Sequence, residues 1–350
     1  MIKNLTLNKT PIRTSNNYGI NDIKLDFDFN ELEYNNNIEV ETNENEKIDI
    51  NIDEECNNSF DSKIGLSFEK YYKLKIIVKE NQVLETPIYI KNILKNNSMF
   101  VGEVEIVFEK NSNAKFIFQN MCYGENSKTF NYIKQINHLK ENSKASITYC
   151  NLINDLSENF IAIENDIEKK VDFEYNLIDL GGKTKISNYY TNLFGEESKN
   201  CFNNIYIGKE KDIIDMNYHV EIKGKKSVCN INAQGAITGE ARKNFKGTID
   251  FIEGASNAIG EENENCVILS DKANSKSLPM LLCHEENVQG AHGVSSGKID
   301  EDKLFYLMSK GLSKKDAEKL IIKANFNNII KNIKDDELQN KVIEIIEKMI

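Results

Sequence analysis

The residues best suited to chemistry gather late in the chain. Cys266 sits in NCVILSDKA, and Cys283, His284, Glu285, Glu286 and His292 follow within LLCHEENVQGAHG. Thiolate, imidazole and carboxylate are the side chains that hold iron and other transition metals, and thiolate is the soft ligand that iron–sulfur clusters favour. Each residue also has an ordinary reading. Cys266 precedes Val-Ile-Leu and reads as a small buried hydrophobe with an inert thiol. Its neighbours Glu261, Glu262 and Glu264 do nothing to favour a thiolate. Cys283 ends the apolar run Leu281-Leu282-Cys283 and reads more readily as an inward-facing core residue than as a ligand. Glu285 and Glu286 are oxygen donors that fit either a site or a solvated turn. His292 reads as an imidazole in a turn, bonded to local carbonyls.

Two apparent catalytic motifs fail on chemistry. His284-Glu285-Glu286-Asn287-Val288 begins like a zinc-protease helix, but the second histidine is Val288, and both imidazoles must face the metal from one helical turn. Gly293-Val294-Ser295-Ser296-Gly297 matches a nucleophile elbow in letters alone, because all four histidines (138, 219, 284 and 292) precede the serine. Its glycines suit a tight turn between the last strand and the first helix. The sequence contains neither a G-x-x-x-x-G-K-[ST] nor a G-x-G-x-x-G stretch, so nucleotide chemistry is expected from a partner.

Composition narrows the classes. With 44 basic and 55 acidic residues the net charge is -11, which offers no field to phosphate backbones or anionic lipid, so neither a nucleic-acid nor a membrane partner is expected. No apolar run approaches a membrane span and the first residues do not read as a signal peptide, so a cytoplasmic protein is expected. Seven cysteines without a C-x-x-C pair read as reduced thiols rather than a disulfide framework or a zinc ribbon.

The elements that must position these residues fall into three regions. Residues 1–87 read as short alternating strands, such as Ile38-Glu-Val and Ile48-Asp-Ile-Asn-Ile, with acidic, Asn-rich connections. Residues 88–299 carry many short β-rich runs split by Gly, Asn and charged turns, and the phrase Lys110-Asn-Ser-Asn-Ala-Lys returns as Glu141-Asn-Ser-Lys-Ala-Ser. Short strands repeating in this way suit a β-solenoid, with a pair of sandwiches as the alternative. Residues 300–350 are helical: Asp300 caps a first helix that Gly311 ends, and Ser313 with Asp316 three places later forms a weaker version of a capping box. Ala317, Leu320, Ile321 and Ala324 fall on one face, as do Leu338, Val342, Ile345, Ile346 and Met349 in the last helix. Those stripes either pack on the chain's own β-core or receive a partner.

Taken together, Cys266, Leu269, Asp271, Lys272 and Ala273, then Pro279, Ala291-His292-Gly293, Ser296-Gly297-Lys298-Ile299, Leu304-Phe305-Tyr306-Leu307 and Lys310-Gly311-Leu312 resemble the C-terminal core of the SufB/SufD family of the SUF iron–sulfur cluster assembly machinery. The likeness is strongest over residues 225–326 and weak before residue 90. It implies a mainly β fold, a right-handed parallel β-helix core between an N-terminal β region and a C-terminal helical domain. It further implies a non-enzymatic scaffold for a transient Fe–S cluster, with Cys266 and His292 as cluster and metal ligands and Cys283 and Glu285 as further candidates. The partners implied are a SufC-like ABC-type ATPase, docked through Leu304, Phe305, Leu307 and Leu312, a second copy in a homodimer, a sulfur donor and acceptor apoproteins. Holding both the cysteine and the histidine, the chain looks like the lone homologue of minimal two-component systems. The rivals are a SufD-like subunit that docks the ATPase without a cluster and a β-helix polysaccharide-active enzyme; the chain has no Trp to serve the latter as a sugar platform.

Overall fold

The structure, a computed structural model, describes residues 2–10, 18–21, 24–29, 31–35, 38–124 and 128–350. Short runs of β-branched and aromatic residues, alternating with polar ones, form its strands. They are β1 (Ile2–Thr6), β2 (Lys24–Phe27), β3 (Glu33–Tyr34), β4 (Ile38–Glu41), β5 (Ile48–Cys56), β6 (Tyr71–Val78), β7 (Ile88–Leu94), β8 (Ser98–Phe108), β9 (Asn113–Cys122), β10 (Phe130–Leu139), β11 (Lys144–Asn151), β12 (Glu158–Ile167), β13 (Asp172–Asp179), β14 (Thr184–Leu193), β15 (Lys199–Gly208), β16 (Ile213–Ile222), β17 (Val228–Ile237), β18 (Arg242–Phe251), β19 (Ile259–Ile268), β20 (Asn274–Cys283) and β21 (Gln289–Gly297). Three helices follow: α1 (Glu301–Ser309), α2 (Lys314–Ile330) and α3 (Asp336–Met349).

From β6 onward, successive strands go to opposite sheets. One sheet runs β20-β18-β16-β14-β12-β10-β8-β6-β5 and the other β21-β19-β17-β15-β13-β11-β9-β7-β4. Phe130 lies beside Glu158 and Glu158 beside Thr184, in parallel, one coil apart each time. The fold is therefore a parallel β-helix, and the sandwich alternative is set aside. The main apolar core fills the space between the sheets, from Leu74 and Ile76 in an early coil to Phe251 and Cys266 in a late one.

The recurring phrase, at Asn111-Ser112 and Asn142-Ser143, marks two instances of a corner that repeats along the solenoid. Asn81, Asn111, Asn142, Lys170, Glu197, Lys226 and Asn257 all take left-handed backbone, with φ between 56° and 61°. Asparagine tolerates that conformation better than most residues. The corners stack: Asn111 N–H donates to the Glu141 carbonyl and Asn142 N–H to the Lys169 carbonyl (both 3.1 Å).

The two ends of the solenoid differ. At the first, β4 and β5 run antiparallel to β7 and β6 and close the sheet edges. At the second, β20 and β21 are the outermost strands, no described strand pairs with their free edges, and every residue of β21 is exposed. Sequence reasoning placed the Gly293–Gly297 glycines and His292 in a turn; they lie instead in β21, a strand held by parallel pairing with β19. An edge strand with no coil above it has little to pack against, so its Gly/Ser-rich sequence lacks the hydrophobic signature of a strand.

The helical caps are as expected. The Asp300 carboxylate accepts from the Asp302 and Lys303 N–H groups, Gly311 follows α1 at φ 99°, and Ser313 accepts from Asp316 N–H. The last helix buries Leu338, Val342 and Ile346, with Ile345 and Met349 packed beside them, against Cys150, Ile178, Ile205 and Ala236 on the outer face of the second sheet. Its stripe thus belongs to the chain's own core. The α2 stripe is a correction: Ala317 is buried, but Leu320 is 47% exposed, and the buried face runs through Ile322, Phe326, Ile329 and Ile330. Those later residues share the α3 and second-sheet cluster, so the C-terminal half of the helix sets which face is inside.

Residues 7–9 and 18–20 lie across the outer face of the first sheet. Asn8 donates to the Ser187 carbonyl (3.1 Å) and to the Asp215 carboxylate (2.8 Å), and Asn244 to the Ile20 carbonyl (2.9 Å). Beneath Asn8 the buried Lys246 ammonium meets Asp215 at 2.5 Å and also donates to the Asn8 carbonyl (2.6 Å). A buried ion pair stabilises little in net terms, but breaking one side of it strands a charge. Lys246→Met should therefore cost about 3–5 kcal/mol. Pairing it with Asp215→Asn should recover most of that loss in thermal melts; equal losses in the single and double variants would contradict the assignment.

Candidate functional site

The register of the second sheet decides where Cys266 points. Asn92, Asn120, Asn151, Asp179, Tyr206, Gly235, Cys266 and Ser296 are consecutive partners across β7, β9, β11, β13, β15, β17, β19 and β21. All occupy one inward row. Its early members bond to each other, Asn92 donating to Asn120 (2.8 Å) and Asn151 to Asp179 (2.7 Å). Burial pushes the Asp179 carboxyl up to about 6. Further along, a methyl group on Gly235 would overlap the Tyr206 ring, so the glycine leaves room for that ring inside the solenoid.

Around Cys266 the interior is charged. Lys243 and Glu264 form a wholly buried ion pair at 2.7 Å, Lys243 also donates to Ser277 (2.7 Å), and Ser277 donates to Glu264 (3.0 Å). The Tyr206 hydroxyl donates to the same carboxylate. Cys266 is 3% exposed. Burial raises its thiol pKa, while Lys243 and hydrogen bonds from Tyr206 and Ser275 pull it back, against Glu264, which raises it. The sequence reading weighed only Glu261, Glu262 and Glu264 beside this thiol and missed Lys243, which lies 23 positions earlier in the chain, on β18. Only the inward register of β18 could have revealed it. Above Cys266, Ser296 and Ser275 bond across the mouth of the last coil (2.9 Å).

His292 shares the inner-face register with Glu262, one coil below it. Cys266 pairs with Ser296, four positions further along, so the two side chains of one molecule stand about 13 Å apart along the strands. A single chain does not bring them together. Cys283 shares the inward register of Phe251, but no further coil covers it and it is exposed. Glu285 accepts from Gly254 N–H (3.0 Å) and Asn287 N–H (3.2 Å) in the loop after β20. Among the described residues, no three His, Cys, Asp or Glu side chains converge as they would around a metal ion. The donors present are nonetheless of the type that iron accepts, and they face the open end of the solenoid.

Glu262 escaped sequence reasoning. It is fully buried, and neither carboxylate oxygen has a hydrogen-bond partner among the described residues. The carboxyl reaches across the interior to β18, where a methyl group on Gly247 would overlap it. Burial, and then the nearby Glu264, push its pKa up to about 8. An acid with a higher pKa folded than unfolded stabilises the fold fully below its unfolded value, here 4.5, and this contribution is lost as pH rises towards 8. Glu262→Gln stays neutral throughout. It should melt near the wild type at pH 5 and above it at pH 8; parallel pH profiles for the two proteins would show that Glu262 is ionised in the fold.

Comparison with known proteins agrees with this architecture. Residues 91–325 match the family model described as SUF system FeS cluster assembly, SufBD core domain. The chain is 26% identical to the iron-sulfur cluster assembly protein SufD of Bacillus subtilis over 284 residues, 79% of this chain and 63% of that protein. It is 27% identical to SufD of Escherichia coli over 195 residues (54% and 45%), and 26% identical to a SufBD family protein of Pyrococcus horikoshii over 263 residues (74% and 58%). The chain thus spans less than two thirds of the length of these relatives. With the family model covering most of the chain and the β-helix carrying it, the protein belongs to the SufBD core family of the SUF system for iron–sulfur cluster assembly.

Proposed function

We propose that this protein is a scaffold on which iron–sulfur clusters are assembled, working in the cytoplasm as a homodimer with a SufC-like ABC-type ATPase and serving a sulfur donor and acceptor apoproteins. The observation that carries the reading is the open last coil, whose inner face presents His292 and, one coil below, Glu262, Glu264 and Cys266. An uncovered parallel edge invites pairing with another strand. If β21 meets its own copy antiparallel about Val294, the His292 of one molecule lies opposite Ser296 of the other, directly over the copy's Cys266. Two-fold pairing then brings the imidazole of each molecule to the thiol of the other, at two equivalent places about the axis, a meeting that one chain alone does not provide. In this reading Cys266 and His292 are cluster ligands, Cys283 and Glu285 lie near the mouth, and ATP hydrolysis belongs to the partner.

The ATPase is assigned to the helical tail. Phe305 (74% exposed), Tyr306 and Met308 form an apolar patch on α1, with Leu304, Leu307 and Leu312 half-buried beside it. Exposed aromatic groups of this kind are interface anchors. The second reading, a SufD-like subunit that docks the ATPase without holding a cluster, is favoured by the burial of Cys266 and by the names of the first two relatives.

Anaerobic reconstitution with iron, sulfide and the ATPase separates the two. Cys266→Ser should lose most of the visible thiolate-to-iron absorbance while keeping its β-rich circular dichroism; loading equal to the wild type would remove Cys266 from the site. For the tail, Phe305→Asp should abolish co-purification with the ATPase at unchanged thermal stability, because the side chain is already in solvent. Retention of the complex in that variant would move docking away from α1.

A further inference from the structure

The N-terminal segment crosses the outer face of the first sheet on two legs. Residues 7–10 rest on β14, β16 and β18, where Asn188 donates to the Asn8 side chain (2.9 Å), Asn217 to the Lys9 carbonyl (2.8 Å) and Lys246 to the Asn8 carbonyl (2.6 Å). Residues 18–21 rest on β18 and β20, where Asn244 donates to the Ile20 carbonyl (2.9 Å) and Lys276 to the carbonyls of Tyr18 and Gly19 (both 3.2 Å). The legs are stapled together: Thr10 N–H donates to the Asn21 side chain (3.1 Å), which donates back to the Thr10 hydroxyl (3.0 Å). The segment thus ties the last strand of the first sheet to the strands of earlier coils. That tie matters because β20 has β18 on one side and no described strand on the other.

Lys276 stands between two inward residues of β20, since side chains alternate along a strand. Ser275 bonds to Ser296 across the mouth of the last coil, and Ser277 bonds to Lys243 and Glu264 beside Cys266. Three consecutive residues therefore carry the N-terminal segment on their outer side and the cover of the thiol on their inner side. We propose that this segment is a strap that holds β20 closed over Cys266, and that release of its second leg opens the last coil and exposes the thiol. Buried Asn8 and Ile20 anchor the strap, one on each leg. The grip on β20 is the ammonium of Lys276, whose register neighbour on β18 is Asn244, so adjacent positions on the two strands hold the same leg. The inference rests on the scaffold reading for its purpose, control over when the thiol is reached, while the strap itself governs access and not cluster chemistry.

Iodoacetamide reaches a buried thiol only when the strand that covers it opens, so the rate of Cys266 alkylation in the full-length chain reports that opening. The rate is read by mass spectrometry, with Cys283, whose thiol is already exposed, as internal reference, together with deuterium uptake over β20. Lys276→Ala removes the bonds to Tyr18 and Gly19, and Asn21→Ala cuts the staple while leaving the strands themselves unaltered. Each should speed Cys266 alkylation about tenfold or more, the scale set by the loss of one charge-assisted hydrogen bond or a pair of neutral ones. Deuterium uptake should rise in β20 and stay unchanged in β10 and β12. Alkylation within about twofold of the wild type in both variants overturns the proposal. So does acceleration in only one of them, which would make the effect local to the substituted residue. Cys266 reactivity that follows the strap in a protein that loads no cluster upholds the strap and fails the scaffold reading instead.

Discussion

Every inner side chain of a β-helix is covered by the coil that follows, and the last coil has none. That single constraint organises the molecule. Up to β19 each coil buries its inward row under the next, and the row can be apolar, amide or charged as long as its neighbours satisfy it. At β20 and β21 the rule runs out. The solenoid is closed at its other end by antiparallel β4 and β5, so one end is finished and the other is left as a surface that exposes what would elsewhere be core. The titratable groups of the site are all found within two coils of that surface.

The charged interior next to Cys266 follows from the same stacking. Lys243, Glu264, Tyr206 and Ser277 come from four strands and meet only because β15, β18, β19 and β20 hold them inward at adjacent levels. Gly235 and Gly247 matter for what they omit: without a side chain, each leaves space that a neighbouring ring or carboxyl fills. A charge cluster of this kind adds little net stability, since desolvation offsets most of the attraction, but it fixes which groups face the thiol.

Legibility in the sequence tracked how local the cause was. The caps at Asp300 and Ser313 are decided by a few consecutive residues and were readable as such. The α3 stripe, with its regular spacing, was readable too. Strand β21 was not, because pairing with β19 holds a run of Gly and Ser that carries no strand propensity of its own. The α2 face was misread because its buried half was chosen by the sheet beneath it. Lys243 and Glu262 were out of reach, since the inward direction of a residue depends on register, and a shift of one position would turn both to solvent.

The segment around Asn8 has an unusual position in time. Its partners at Ser187 and Asp215 lie 179 and 207 residues later in the chain, and Lys276 on β20 reaches the Tyr18 carbonyl across 258 residues. During synthesis the coils can add one upon another as each emerges, by short-range pairing with the coil before. Residues 7–9 and 18–20 leave the ribosome before any of this and have no surface to lie on until β14, β16, β18 and β20 exist. Their docking is thus a late, long-range closure that slows maturation. It also makes a segment synthesised long before those coils the one that registers whether they, and with them the site, have formed.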